Sequence, residues 1–338
     1  MQYPKNKKII LITAWAIVTY LIYFCFREIE LEQAWKEVKQ SQPLWLILGI
    51  LGHFSIFIFW AKQWILFLPS KFTVTFIRMF EVNALMSTAM NTLPFPGGHA
   101  FGVFLLAKRE RISHSAALSV MSLDQLAEGI AKLTVLLIVG LLIPLPPLMK
   151  EGIIGLVVII FLFLNVLLFF ARRFHDYHES ASKHQKTLKE KIIHFVSRWG
   201  NQLEGLRNPQ TFIYGVILAY GMKLGEALAI WGVQKSLGVD LPIWSTLLIL
   251  AALNLTTLIP LTPGNLGIYE ATVFFIYQYL SIPPEQALAL ALIQHLCFLL
   301  PLAGTGYILI IVRNFTQKIP QHKKNATNPK HILENERI

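Results

Sequence analysis

The sequence has 338 residues, of which 54% are hydrophobic and 14% charged, and 30 basic against 19 acidic side chains give a net charge of +11. Soluble domains carry about a quarter charged residues, so this composition excludes an ordinary water-soluble enzyme and predicts an integral membrane protein. The basic side chains lie mostly between long apolar runs, which argues against a nucleic-acid partner. The aspartates are too scattered for a paired-aspartate metal site, and both cysteines lie in apolar runs, which indicates no disulfide framework. These residues are Asp124, Asp176, Asp240, Cys25 and Cys297.

Nine apolar stretches follow one another along the chain, and a helix needs about 20 such residues to cross about 30 Å of hydrocarbon. The first, residues 9–26, follows several lysines and has no small-x-small cleavage site after it. It is therefore predicted to be an uncleaved first helix, the alternative being a signal peptide. The others are residues 44–68, 72–93, 116–143, 152–171, 211–233, 243–261, 269–280 and 287–312.

Basic loops mark the cytoplasmic side of a membrane. The segment 108–111, the loop 172–210 and the tail from residue 313 are basic, whereas 27–43, 144–151 and 237–242 are balanced or acidic. Residues 72–107 must then enter from the cytoplasm and return to it, and residues 243–280 must enter from outside and return outside. Neither stretch is an ordinary span, so each is predicted to be a re-entrant helical hairpin.

The predicted fold is an all-α polytopic membrane protein with six full spans, two re-entrant hairpins and both termini in the cytoplasm. The hairpins are expected to break at residues 94–98 and 260–264, where proline and glycine interrupt the apolar runs. A single membrane domain covers residues 1–313, and residues 314–338 form a cytoplasmic polar tail. The expected location is the cytoplasmic (inner) membrane.

The two hairpins resemble each other in sequence. Pro96-Gly97 matches Pro263-Gly264 at an offset of 167 residues, and residues 112–118 match 282–288 at an offset of 170. The predicted repeats cover about residues 72–143 and 243–312. By the charge argument they insert from opposite sides, and inverted repeats with broken segments in matching positions point to a transporter's binding site. The alternative is that apolar Pro-Gly helices look alike by chance.

In each hairpin the second arm begins at the tip, so its N-terminus points into the membrane. Two opposed N-termini favour an anion, and glycines let a phosphate approach the backbone closely. Such tips persist only when buried in protein or lining a wet cavity. The alternative is that Pro-Gly merely starts and stops helices. The candidate substrate-binding residues are Gly97, Gly98, His99, Gly264, Asn265, Gly267 and Glu270.

Ionisable side chains also occur inside the apolar runs, where each costs about 3 kcal/mol and needs a reason. Helical spacing predicts three self-neutralising pairs: Arg78 with Glu81, Glu128 with Lys132, and Lys223 with Glu226. Asp124, Glu270 and His295 have no such partner. Either acid is a candidate for a coupling proton; alternatively Glu270 complements its helix N-terminus, and His295 is favoured as a hydrogen-bonded core residue. The predicted intramembrane polar path comprises Arg78, Glu81, Asp124, Glu128, Lys132 and His295, and His53 is expected to be packed or interfacial.

Two amphipathic stretches remain. Residues 188–206 carry apolar side chains at helical spacing among basic ones, which predicts an interfacial helix that favours anionic lipid. The other, around Trp35, is predicted on the outer surface. A solvated loop is favoured over a metal site near His175 and Asp176. Neither a Walker A sequence nor G-x-S-x-G occurs, so no catalytic residue, cofactor or metal is predicted.

Residues 263–271, Pro-Gly-Asn-Leu-Gly-Ile-Tyr-Glu-Ala, resemble the P-G-G-L-G-x-x-E-A signature of the lysylphosphatidylglycerol synthase transmembrane family, also called flippase-like. The continuation at 281–288 is similar to that family, as are Pro96-Gly97-Gly98 and residues 112–118 in the first half. The resemblance covers essentially the whole chain. It implies flipping of lipids such as aminoacylated phosphatidylglycerol, and relatives accompany hopanoid and lipid-linked glycan pathways.

The sequence departs from the family pattern of charged residues in three places. Residues 100–104 lack the Glu and Arg that usually follow the first tip, Gln125 replaces an Arg, and Tyr269 stands where Arg is common. These departures count against the family's usual headgroup. The chain ends in a short polar tail where the family's soluble aminoacyl-transferase domain would lie, so synthesis of lysyl-lipid by this polypeptide is not expected.

The predicted function is translocation of a phosphate-bearing or polar-headed lipid, bound near the opposed tips at the midplane. One alternative is a non-transporting accessory protein beside a lipid-biosynthesis enzyme, and a less favoured one is an intramembrane lipid-headgroup transferase. The expected partners are membrane lipids, chiefly anionic.

Overall fold

The computed structural model describes residues 30–93, 96–145, 147–175, 187–258 and 262–318, which are almost entirely helical and contain no strand. The predicted first span and the chain beyond residue 318 lie outside these ranges. The helices are α1 (Leu31–Gln40), α2 (Pro43–Phe67), α3 (Phe76–Thr92), α4 (Gly97–Arg109), α5 (His114–Leu142), α6 (Pro147–Arg173), α7 (Leu188–Asn201), α8 (Glu204–Arg207), α9 (Pro209–Ser236), α10 (Ile243–Thr256), α11 (Ile268–Tyr279), α12 (Pro284–Leu302) and α13 (Gly304–Lys318).

Five helices are long and apolar enough to cross a membrane: Pro43–Phe67, His114–Leu142, Met149–Arg173, Pro209–Ser236 and Pro284–Phe315. The last combines α12 and α13, which meet at Ala303 just after an internal proline, Pro301. These helices correspond to five of the six predicted spans. The protein is therefore a membrane protein with an all-helical fold.

Two pairs of consecutive helices are separated by non-helical breaks at the positions where the sequence predicts breaks. The first broken pair is α3 and α4, separated at residues 93–96, and the second is α10 and α11, separated at residues 257–267. The helices of each pair pack against each other. At the second break Gly264 and Asn265 take left-handed conformations with φ of 61° and 57°, which reverse the chain direction.

The two broken pairs open toward opposite ends of α5. In the first pair, α4 ends at Arg109 and leads through residues 110–113 directly into the start of α5. In the second pair, the Tyr279 hydroxyl at the end of α11 donates to the Pro144 carbonyl oxygen at 3.3 Å, just beyond the end of α5. Because α5 has 29 residues, about 1.5 Å each, these open ends are about 40 Å apart.

The centre of the bundle is a close contact between α2 and α9, made by glycines. A Cβ added at Gly52 would lie 2.7 Å from the Gly225 carbonyl oxygen, and one added at Gly225 would lie 2.7 Å from the Gly52 carbonyl oxygen. Gly232 approaches the Trp45 carbonyl oxygen in the same way, at 2.9 Å. Small residues let membrane helices approach at backbone distance, so this contact fixes how α2 and α9 cross.

The predicted amphipathic stretch forms α7, whose start is closed by a capping box. The Thr187 hydroxyl accepts from the Glu190 N–H at 3.2 Å, and the Glu190 carboxylate accepts from the Thr187 N–H at 3.3 Å. At its other end the Trp199 indole N–H donates to the Ser122 hydroxyl of α5 at 3.3 Å. The apolar side chain of Leu188 remains exposed, as on a helix that lies along a membrane surface.

We expect Gly52→Leu to lower the thermal unfolding temperature of the detergent-solubilised protein, because the new side chain must displace the backbone of Gly225. Overpacking a tight contact costs about 1–3 kcal/mol. Gly155→Leu is the matched control, since an added Cβ on that α6 glycine meets nothing within 4 Å. Equal unfolding temperatures for the two variants would contradict the α2–α9 contact.

Candidate functional site

A cavity of about 230 Å³ lies where the two breaks meet. Helices α2, α3, α4, α5, α9, α10, α11 and α12 surround it, and both breaks contribute to its wall. Its polar lining consists of His53, Trp60, Ser87, Asn91, His99, Gln125, Glu128, Lys132, Lys223, Glu226, Asn254, Thr257, Asn265 and Tyr269. A polar cavity enclosed by apolar helices is the setting in which broken helices persist in membranes.

Three of the predicted tip residues line this cavity: Gly98 and His99 of the first break, and Asn265 of the second. Gly98 is required by close packing, because an added Cβ would lie 2.4 Å from the Cα of Met90 in α3. The second break also touches the last turn of α3, since a Cβ at Gly264 would lie 3.4 Å from the carbonyl oxygen of Asn91. The structure thus brings both tips to one place.

Four charged side chains form a continuous ladder along the cavity wall. Lys132 lies 2.9 Å from Glu128, Glu128 lies 3.5 Å from Lys223, and Lys223 lies 2.7 Å from Glu226. The predicted pairs of Glu128 with Lys132 and of Lys223 with Glu226 are confirmed. The additional link between Glu128 and Lys223 joins α5 to α9, and the two acids balance the two lysines, so the ladder is neutral overall.

Asp124 lies behind this wall and is 1% exposed. Its carboxylate accepts from the Trp60 indole N–H and from the Gln125 amide, each at 3.1 Å. Trp60 and Gln125 themselves line the cavity. Asp124 therefore positions two lining side chains and does not face the cavity directly.

The predicted pair of Arg78 with Glu81 is wrong. Arg78 contacts Glu110 at 3.5 Å, and Glu81 pairs with Arg109. All four residues lie where the first broken pair opens, near the start of α3 and the end of α4. They hold its two helices together there, and neither Arg78 nor Glu81 reaches the cavity.

Glu270 and His295 instead hold the second break. The two ring nitrogens of His295 lie 2.7 Å from a Glu270 carboxylate oxygen and 2.8 Å from the Gly264 carbonyl oxygen. The other Glu270 oxygen accepts from the Gly267 N–H at 2.7 Å. Tyr269 stacks on the His295 ring at 4.4 Å. The prediction of His295 as a hydrogen-bonded core residue is confirmed.

Sequence reasoning missed Asn254 and gave His53 only a packing role. Both are nearly fully buried and line the cavity, and the Asn254 amide nitrogen and His53 Nδ1 have no hydrogen-bond partner among the described residues. The Asn265 side-chain oxygen shares that property. The available signal was a single amide within the apolar run 243–261, which carries no charge.

Within the described ranges, no group of three or more His, Cys, Asp or Glu side chains is placed to hold a metal ion. The sequence matches the family model of the lysylphosphatidylglycerol synthase TM region over residues 11–306. This range includes both broken pairs and every residue of the cavity wall. No curated protein matches this sequence.

We expect Lys223→Met to destabilise the protein, because Lys223 is 5% exposed and its removal strands Glu226 without a partner. Breaking a buried ion pair from one side costs about 3–5 kcal/mol. The double variant Lys223→Met/Glu226→Leu should recover most of the lost unfolding temperature, since it also removes the stranded carboxylate. Thermal unfolding in detergent measures both.

Lys235→Met provides the control for that series. Lys235 pairs at 2.6 Å with Asp240, whose side chain is 92% exposed, so solvent takes over the interaction and the change in unfolding temperature should be small. A loss as large as that of Lys223→Met, or no recovery in the double variant, would contradict the role of the ladder in the buried bundle.

Proposed function

The chain belongs to the lysylphosphatidylglycerol synthase TM region family, and from that membership we propose that it translocates a lipid across the membrane. The proposed cargo is a phosphate-bearing or polar-headed lipid whose head occupies the cavity between the two breaks. Transport, and not catalysis, is proposed. The observation that carries the proposal is the convergence of both breaks, the charged ladder and several unpartnered polar atoms on one cavity.

We propose that the broken pairs are re-entrant hairpins that enter from opposite sides. Their helices have 17, 13, 14 and 12 residues, fewer than the about 20 needed for a full span. The opening of the two pairs at opposite ends of α5 supports opposite insertion. Together with the first predicted span, residues 9–26, the five long helices would make six full spans.

The packing partners of the helices support an inverted repeat. Helix α2 packs on α3 as α9 packs on α10, and α3 packs on α12 and α13 as α10 packs on α5 and α6. Each helix from α2 to α6 thus corresponds to one from α9 to α13, with α2 and α9 in contact at the centre. This proposed repeat unit has five helices and is longer than residues 72–143 and 243–312.

Basic residues support a cytoplasmic position for one end of the bundle. Arg109 ends α4, Arg173 ends α6, and α7 follows with further basic side chains. Helix α13 runs toward the same end, because Tyr307 contacts Thr92 at 2.7 Å while Arg313, further along, interacts electrostatically with Arg109. By the positive-inside rule, this basic end faces the cytoplasm, and both termini are proposed to lie there. The proposed location is the inner membrane.

The chemistry of the cavity supports a lipid with a polar head. A buried donor or acceptor without a partner costs about 1–3 kcal/mol, and His53, Asn254 and Asn265 each present one. A headgroup with both donors and acceptors would satisfy these atoms. A phosphate would also compete with Glu128 and Glu226 for Lys223, so binding and rearrangement of the ladder would be linked.

We expect Asn254→Leu to lower lipid flipping in proteoliposomes about tenfold or more, the effect of losing one hydrogen bond to a charged headgroup. The variant should fold, because Leu has nearly the shape of Asn and the Asn254 amide nitrogen has no partner in the described part of the chain. Flipping is measured by the protection of a fluorescent lipid from an external quencher, and folding by the unfolding temperature.

Asn165→Leu is the matched control. The Asn165 amide donates only to the Phe161 carbonyl oxygen of its own helix, at 2.7 Å on the exposed side of α6, so flipping should be unchanged. Unaltered flipping in Asn254→Leu would refute the cavity as the lipid site. If the wild-type protein flips no lipid and instead co-purifies with a lipid-biosynthesis enzyme, the accessory role replaces transport.

A further inference from the structure

The His295 ring is placed between two groups that accept hydrogen bonds. Its Nε2 lies 2.8 Å from the Gly264 carbonyl oxygen and its Nδ1 lies 2.7 Å from the Glu270 carboxylate. Both are ordinary hydrogen-bond distances, and each contact needs one hydrogen. The ring is 3% exposed, so solvent does not supply a substitute partner for either nitrogen.

The number of available hydrogens is set by chemistry. A neutral imidazole has one N–H and one lone pair, a carbonyl oxygen only accepts, and an ionised carboxylate only accepts. With a neutral His295 and an ionised Glu270, one of the two contacts would place two lone pairs less than 3 Å apart. The other Glu270 oxygen offers no alternative, because it already accepts from the Gly267 N–H.

We propose that His295 and Glu270 together form a proton-binding site that holds one proton more than a neutral imidazole and a carboxylate contain. The proton lies between His295 Nδ1 and the Glu270 oxygen, as an imidazolium beside a carboxylate or as an imidazole beside a carboxylic acid. Its release leaves neutral His295, ionised Glu270 and one free proton. The contact then becomes repulsive.

The site is coupled to the position of the second break. His295 holds the carbonyl of Gly264, and Glu270 holds the N–H of Gly267, so the two side chains close a loop around the left-handed residues of the break. Asn265, within this loop, lines the cavity. With the proton bound, His295 of α12 makes hydrogen bonds to both Glu270 and the Gly264 carbonyl oxygen. When the proton leaves, one of these two hydrogen bonds to α12 is lost.

Several titratable groups lie on the helices around this site. Tyr269 of α11 stacks on the His295 ring, and His53 of α2 interacts electrostatically with it. Further out, Lys223 of α9 acts on His53, and Glu226 of α9, Tyr277 of α11 and Cys297 of α12 act on Tyr269. α3 presents the uncharged Ser87 and Asn91 to the cavity. Lys223 lies in the neutral ladder, so the charges around the site largely balance. The proton site is a property of the break and exists whether or not the protein moves lipid.

Glu270→Gln is the decisive variant. Its side-chain amide can donate to His295 Nδ1 and its carbonyl can accept from the Gly267 N–H, so the loop stays closed without the additional proton. Glu285→Gln, the same change in the first turn of α12, is the control. A spin label at Leu266→Cys, with both native cysteines replaced, reports the mobility of the break in the full chain.

We expect the label on the wild-type background and on Glu285→Gln to become more mobile at alkaline pH, and the label on Glu270→Gln to stay immobile throughout. A mobility that is independent of pH in all three proteins, or the same pH response in Glu270→Gln, would overturn the proposed coupling. Lipid flipping is measured separately, so that result would leave the proposed transport function standing.

Spectroscopy of the full-length protein without the spin label tests for the proton directly. At neutral pH we expect either nitrogen-15 signals of a doubly protonated His295 or an infrared band of a protonated carboxyl that Glu270→Gln removes. A singly protonated His295 together with no such carboxyl band would refute the proton site. If Glu270→Gln fails to fold, the wild-type spectra still test the site: a doubly protonated His295 supports it, and a singly protonated His295 in a protein with no protonated-carboxyl band refutes it.

Discussion

A backbone N–H or C=O left unpaired in hydrocarbon costs several kcal/mol, and this constraint governs the whole architecture. Two helices are broken in the middle of an apolar bundle, and each break is tied back to protein. At the second break, side chains of α11 and α12 hold the freed groups of Gly264 and Gly267. At the first, close packing of Gly98 on Met90 keeps the chain against α3. The cavity exists because both breaks are secured beside each other.

The same constraint explains the distribution of charge. The ladder of Lys132, Glu128, Lys223 and Glu226 is buried but neutral, so it brings four strong polar groups to the cavity without the penalty of an isolated charge. Among the described residues, basic side chains gather elsewhere, at the end of the bundle marked by Arg109, Arg173 and α7. Interior polarity and net charge are therefore separate features of this protein, with different physical roles.

Much of this arrangement is encoded locally and was predictable. Apolar length gave five of the described spans, Pro-Gly pairs located both breaks, and four-residue spacing identified Glu128 with Lys132. The pairing of Arg78 with Glu81 failed because spacing ignores competing partners on the neighbouring helix α4. The contact of Glu270 with His295 joins residues 25 apart on different helices, so it depends on how α11 and α12 pack. Asn254 was missed because a single amide carries no charge signal.

The glycine contact between α2 and α9 has a mechanical consequence. Helices that interlock through large side chains resist rotation, because ridges must climb out of grooves. Gly52 and Gly225 present bare backbone to each other, but further along the same contact the α2 side chains Phe59 and Phe67 pack onto Gly221 and Gly215 of α9. Each of the two helices also contributes a side chain to the cavity wall, His53 from α2 and Lys223 from α9. The aromatic side chains of Phe59 and Phe67 interlock with α9 and oppose rotation of the two helices, so α2 and α9 would move as one unit, and the cavity would change width when the other helices shift relative to that pair.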